Sequence, residues 1–168
     1  MKIVLLVLMY LNLFNSGLPD YRKLLDDALY NKEAATVFYE TLKTVKETDA
    51  PVLIGFRAMS EFMLCKHLLN PISRISHFNK GKELLGIALS RDENDPELLY
   101  FRLSTQSNTP ALLGYKSNID TDKLMLIHYL KTAADRPGDD KMLDRRIKAY
   151  LLINQYCSMQ EKAIIRSL

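Results

Sequence analysis

The fold of this chain is decided by residues 50–106, which read APVLIGFRAMSEFMLCKHLLNPISRISHFNKGKELLGIALSRDENDPELLYFRLSTQ. The first part, from Pro51 to Leu69, is apolar around most of a helical circumference, and such a helix is buried on more than one side. Pro51 suits the first helical turn, and Asn70-Pro71 ends the helix because the residue before a proline is pushed out of the helical region. The pattern therefore predicts a central buried helix followed by a break.

A second helix is predicted from Ile72 to Leu89. It contains Gly81 and Gly86, each of which costs about 1 kcal/mol relative to alanine inside a helix. We interpret both glycines as places where a neighbouring helix approaches closely. Asp95 and Pro96 are typical of an N-cap followed by the first helical position, so they predict the start of a third helix.

The run from Gly81 to Leu89, followed by the acidic turn and by Asp95 to Leu99, resembles a junction between tetratricopeptide repeats. In that family the second helix of a repeat ends in an Ala-Leu step, and an Asn-x-Pro-Glu turn opens the next repeat. No second copy aligns at the period of about 34 residues, so the likeness is to a degenerate array.

The resemblance implies an all-α fold of about seven helices, in which antiparallel helix pairs stack as a short right-handed array. It also implies a concave surface that binds another protein or a peptide. An ordinary helical bundle with a well-capped turn is the alternative.

The start of the chain has the pattern of an export signal. Lys2 precedes an apolar run from Ile3 to Leu11 that continues less purely to Phe14, and this is too short for a bilayer span of about 20 residues. A basic start and an apolar run of this length are typical of a secretory signal peptide. We expect residues 1–17 to be a signal peptide, residues 18–168 to be a single all-helical domain, and the protein to be periplasmic or secreted with no membrane span after cleavage. An uncleaved first helix is the alternative.

Periodic apolar positions predict further helices on both sides of the central stretch. They are expected at about 21–30, at 32–47, at 121–134 with Asp120 or Thr121 as the cap, and from the turn at 136–139 to Cys157. Residues 158–168 are a final helix or a frayed tail.

Residues 107–120 form a long connection without a clear helical pattern, and such connections are often functional. Leu112, Leu113 and Tyr115 either pack on the end of the core or contact a ligand or partner, so all three are candidate binding residues. Arg57 and Arg102 are further candidates, because we place them on exposed stripes at equivalent positions of two repeat-like helices. A solvated or ion-paired surface is the alternative for both arginines.

Known catalytic patterns are missing from the sequence. The formal net charge is only +3 and is dispersed, unlike the basic stripe of nucleic-acid-binding proteins. The glycines form no phosphate-binding loop, and neither a G-x-S-x-G nor an H-E-x-x-H motif occurs. The three histidines, His67, His77 and His128, fall on different predicted helices. We therefore expect no catalytic residue, metal site, cofactor or nucleic-acid partner.

These features predict an exported, non-enzymatic module of the cell envelope that binds a protein or peptide. An envelope hydrolase with a site near residues 107–120 and a structural subunit of an oligomer are the alternatives. Cys65 and Cys157 either pair as a disulfide after export or remain as buried thiols.

Overall fold

The computed structural model describes residues 17–132 and 140–168, and every regular element in these two ranges is helical. The all-α prediction is therefore confirmed for the described part, with eight α-helices where about seven were expected. The predicted signal peptide up to residue 16 and the predicted turn at 136–139 lie outside the described residues. The elements are α1 (Leu18–Ala28), α2 (Lys32–Leu42), α3 (Pro51–His67), α4 (Pro71–Arg91), α5 (Pro96–Asn108), a 3-10 turn (Ala111–Leu113), α6 (Ile119–Lys131), α7 (Lys141–Ile153) and α8 (Met159–Ser167).

Two of the described helices begin at an aspartate N-cap, and the sequence predicts one of these caps. The carboxylate of Asp95 accepts hydrogen bonds from the backbone N–H groups of Glu97 and Leu98 at 2.8 and 3.0 Å, and α5 follows directly. Asp140 caps α7 in the same way. These bonds satisfy N–H groups that have no partner within the helix, which is why aspartate is favoured at this position.

Several predicted boundaries are wrong. The cap at Asp120 or Thr121 is not used, because α6 begins at Ile119. Helix α2 ends at Leu42 rather than near residue 47, since residues 43–49 form turns in which the Asp49 carboxylate accepts the backbone N–H of Lys46 at 2.7 Å. Helix α7 ends at residue 153, not at 157.

The end of the chain is a helix and not a frayed tail. Ser158 accepts the backbone N–H of Glu161, and the Glu161 carboxylate accepts the backbone N–H of Ser158, which is a complete capping box. Such reciprocal bonds satisfy two free N–H groups at once and favour the start of a helix. Of the two alternatives for residues 158–168, the final helix is confirmed.

The chain divides into two compact units, Met1–Ile87 and Ala88–Leu168, with the boundary inside α4. In the N-terminal unit α1 packs on α2 and α3, and α2 packs on α3. In the C-terminal unit α5 packs on α6, α6 on α7, and α7 on α8. The single domain over 18–168 and the right-handed tetratricopeptide-like stacking stay predictions.

In the N-terminal unit the end of α3 caps the end of α1. Lys66 Nζ donates a hydrogen bond to the carbonyl of Leu29 at 2.6 Å, and His67 Nε2 lies 2.8 Å from the carbonyl oxygen of Ala28. The last carbonyls of a helix have no partner within it, so side-chain donors at this point stabilise the helix end. These two contacts join the carboxyl-terminal ends of both helices at one end of the unit.

Helix α4 approaches α3 closely at Gly81. A Cβ atom at this position would lie 2.8 Å from the ring of Phe62, whereas a Cβ atom at Gly86 would meet no described atom within 4 Å apart from its chain neighbours and its own helix backbone. The predicted close approach is therefore confirmed at Gly81 and wrong at Gly86, which is exposed.

Replacing these two glycines by alanine should change stability in opposite directions. We expect Gly81→Ala to lower the free energy of unfolding by about 1–3 kcal/mol through overpacking, because the Phe62 ring that must move is packed against Phe78, with 5.7 Å between ring centroids. We expect Gly86→Ala to raise it by about 0.5–1 kcal/mol, since alanine favours a helix interior. Urea unfolding followed by circular dichroism measures both. Equal stabilisation by the two changes would contradict the close packing at Gly81.

Candidate functional site

The candidate site is the α5–α6 loop, residues 109–118, whose tip is the 3-10 turn. Leu112 in this turn is 96% exposed and Leu113 is 42% exposed. Gly114 follows with a φ of +60°, a left-handed conformation that favours glycine, and it turns the chain back. Packing on the end of the core is therefore the wrong account for Leu112, which is presented to solvent, whereas Leu113 is only partly exposed.

Tyr115 behaves differently from the leucines. It is half-buried, and its side chain forms a hydrogen bond with Gln106. Burial raises the pKa of the Tyr115 hydroxyl, and the positive charge of Arg102 only partly offsets this effect. Tyr115 thus holds the loop against α5, as the core-packing interpretation expects.

Gln106 also closes the loop at its far end. Its side chain is fully buried, its Oε1 accepts the backbone N–H of Asn118 at 3.0 Å, and its Nε2 donates to Asn118 Oδ1 at 3.3 Å. One side chain on α5 therefore ties down the residue that precedes α6. Buried amide hydrogen bonds of this kind are costly to remove because the partner is left unsatisfied.

One helical turn before Gln106, Arg102 makes a two-point ion pair with Asp122 of α6. Arg102 Nε donates to Asp122 Oδ2 at 2.7 Å and Nη2 donates to Oδ1 at 2.6 Å, and the Asp122 side chain is 0% exposed. Burial raises the pKa of Asp122 above its ordinary value, although the hydrogen bonds and charge of Arg102 act against that rise. The exposed stripe predicted for Arg102 is wrong; the ion-paired alternative describes it, and a role in binding stays a prediction.

Arg57 lies in the N-terminal unit and is likewise half-buried, so its predicted exposed position is wrong. Its Nη1 donates to the carbonyl of Val45 at 2.6 Å, which attaches α3 to the turn after α2. Its Nε is buried and has no hydrogen-bond partner within the described ranges. A role of Arg57 in binding stays a prediction.

The turn between α7 and α8 also supports the α5–α6 loop. The sequence does not predict these contacts. Asn154 Nδ2 donates to Ser107 Oγ at 3.0 Å and Gln155 Nε2 donates to the Ser107 carbonyl at 3.2 Å. Lys116 Nζ, in the loop itself, donates to the Tyr156 hydroxyl at 2.8 Å. These partners are at least 40 residues apart in the chain, so no local pattern could have indicated them.

Lys123 of α6 holds the same turn and α8. Its side chain is mostly buried, and its ammonium group donates to the Tyr156 carbonyl at 3.0 Å and pairs with Glu161 at 3.1 Å and Asp120 at 3.2 Å. Burial lowers the pKa of Lys123, but the bonds to Glu161 and Asp120 outweigh it and leave the pKa above its ordinary value. For Glu161 burial raises the pKa, and the bonds from Ser158 and Lys123 bring it below its ordinary value.

The polar groups at the loop therefore serve to hold it. Arg102, Gln106, Lys116 and Asp122 are each bonded to another residue of this arrangement. What faces outward at the tip is the uncharged surface of Leu112 and Leu113. Such a surface can bind an apolar group of a partner, whereas the bonded groups behind it fix its position.

Metal ligation and membrane spanning find no support in the described ranges. No three histidine, cysteine, aspartate or glutamate side chains within 17–132 and 140–168 come together as metal ligands would. Among the helices described here, none combines the length and apolar character that crossing a membrane requires.

Cys65 and Cys157 are both free thiols, and burial raises the pKa of each.

Removing the buried amide should loosen the loop. We expect Gln106→Met, which keeps the side-chain length, to lower the free energy of unfolding by about 1–3 kcal/mol because the Asn118 N–H loses its acceptor. Hydrogen exchange measured by mass spectrometry should be faster in peptides covering 109–119. Asn108→Ala, an exposed change on the same helix, is the control and should leave exchange there unchanged. Unaltered exchange in Gln106→Met would show that the amide does not hold the loop.

The ion pair of Lys123 should make the attachment of α8 sensitive to acid. Because the folded-state pKa of Glu161 lies below its ordinary value, its stabilising contribution is complete above that value and is lost as the pH falls below about 4. We expect Glu161→Gln to be less stable than the wild type at pH 7, with a difference that disappears towards pH 3. The raised pKa of Asp122 makes its contribution to stability change with pH in the opposite sense, but this contribution is the same in both proteins, so their difference isolates Glu161. A difference independent of pH would contradict this assignment.

Comparison with known proteins leaves the site to be interpreted from its own geometry, since no protein-family model, no curated protein and no solved structure matches this chain.

Proposed function

We propose that this protein is an exported, non-enzymatic, helical-repeat-like module of the cell envelope that binds another protein or a peptide through the tip of the α5–α6 loop. The observation that carries this proposal is the exposure of Leu112 and Leu113 on a turn whose base is fixed by buried polar contacts. Two adjacent leucines on a fixed turn offer an apolar surface that a partner can bury.

Binding at this tip is favourable for two reasons. Burying a leucine that is otherwise exposed contributes about 1.5–3 kcal/mol. In addition, a loop that is already held by Gln106 and Lys116 loses little conformational freedom on binding, and this loss is a main cost of association. A preorganised apolar tip therefore contributes more of its burial energy to affinity than a mobile one does.

The other parts of the proposal have separate support. Helix α1 contacts both α2 and α3, which is the neighbour pattern expected when the first helix of one pair touches the first helix of the next. The basic residue and apolar run at 2–14 support export. Arg102 and Gln106 of α5 bond to Asp122 and Asn118, respectively. These bonds support a role in positioning rather than in reaction chemistry.

A cross-linking experiment tests the proposal in cells that produce the protein. A photo-reactive phenylalanine analogue replaces Leu112 in the full chain, and the matched control carries it at Leu124, an exposed apolar position on α6. We expect one discrete cross-linked partner in the envelope fraction from position 112 and none from position 124. With that partner purified, Leu112→Ser together with Leu113→Ser should weaken binding by about tenfold or more.

The outcomes separate the alternatives. Cross-links to a second copy of this chain would favour the structural subunit of an oligomer. Absence of any specific product, or unchanged affinity in the double serine variant, would overturn the tip as a binding site. Recovery of the protein outside the envelope fraction, with residues 1–17 intact, would overturn export.

A further inference from the structure

The N-terminal unit has its own group of exposed apolar side chains where α3 ends and α4 begins. Leu69, Ile72 and Ile75 are 94%, 80% and 55% exposed, and we call these three residues the apolar corner. Ile72 and Ile75 are three residues apart on α4 and so lie on the same face of the helix. Three neighbouring aliphatic side chains held in water indicate an interaction surface.

The end of α1 adds an aromatic residue at the same end of this unit. Lys66 Nζ, which bonds to the Leu29 carbonyl at the end of α1, lies 5.7 Å from the centre of the Tyr30 ring. Tyr30 is itself almost fully exposed. An exposed tyrosine beside a lysine is a pair that is favoured at the boundary between a membrane and water.

The helices that carry the apolar corner are basic. Between Glu61 and Glu83 the sequence contains four lysine and arginine residues, of which Lys80 is ion-paired with Glu47 and Glu83. Lys66 and Arg74 are exposed beside the corner, although Arg74 also hydrogen-bonds Cys65. The exposed acidic residues near Tyr30 in the chain, Asp26, Asp27 and Glu33, belong to α1 and α2.

We propose that the apolar corner docks on an anionic lipid surface. Leu69, Ile72 and Ile75 enter the headgroup region, where their aliphatic groups leave water, and Lys66 and Arg74 lie at the lipid phosphates. Exposed aliphatic groups with flanking cations are the combination by which peripheral proteins bind membranes. This surface lies in a different unit from the α5–α6 loop, so the inference does not depend on the loop as a binding site.

Sedimentation of the full chain with lipid vesicles tests this inference. The vesicles contain either phosphatidylglycerol mixed with phosphatidylcholine or phosphatidylcholine alone. The test variant replaces Leu69, Ile72 and Ile75 by serine, and the matched control replaces Leu124, Ile153 and Met159, three exposed apolar residues of the C-terminal unit. Circular dichroism checks that both variants keep the wild-type helix content.

We expect the wild type and the control variant to sediment with the anionic vesicles. The affinity of the test variant for these vesicles should be lower by about tenfold or more. Binding of the wild type to phosphatidylcholine alone should be weaker, and salt should reduce binding to the anionic vesicles. Equal binding by all three proteins would place the binding outside the apolar corner and overturn the proposal. Equal binding of the wild type to both vesicle types would overturn the proposal as well. So would self-association of the wild type that the test variant abolishes, because a second copy of the chain would then cover the apolar corner.

Discussion

The carboxylate of Asp122 is the charge on which the C-terminal unit depends. It is fully withdrawn from water, and a buried carboxylate is tolerated only if a partner replaces its hydration. Arg102 supplies that partner with two nearly parallel hydrogen bonds, a geometry that only a guanidinium offers. The requirement fixes α5 against α6 in one register. The same register brings Gln106 opposite the end of the connection between them, so the shape of the loop follows from the pairing of one charge.

Local rules of helix formation were readable from the sequence, and the structure shows why. Asp95 and Pro96 act on backbone groups two or three residues away, so their effect needs no tertiary information. The all-helical class likewise follows from apolar spacing along each segment. Gly81 and Gly86 show the limit of this approach, because the same residue type in one helix faces a phenylalanine ring in the first case and open space in the second.

The candidate site was only partly predictable for a related reason. Residues 107–120 stand out as a long connection, and Leu112 and Leu113 as its apolar members, from the sequence alone. Arg102 pairs with a residue 20 positions further on, and the helical spacing of its own segment cannot indicate that pair. The contacts of Ser107 with Asn154 and Gln155 span still more of the chain. Periodicity describes one helix at a time and carries no information about which helices meet.

The residues that hold the α5–α6 loop differ from those at its tip, and this has a consequence for how the loop sequence can change. The contacts described here that hold the loop use Gln106, Ser107, Tyr115, Lys116 and Asn118, and none of them uses the side chains of residues 111–113. Selection for folding therefore constrains the base and leaves the identity of the tip open. The tripeptide at 111–113 can therefore be exchanged with little loss of stability. For the same reason the turn is a suitable position for grafting a foreign recognition peptide.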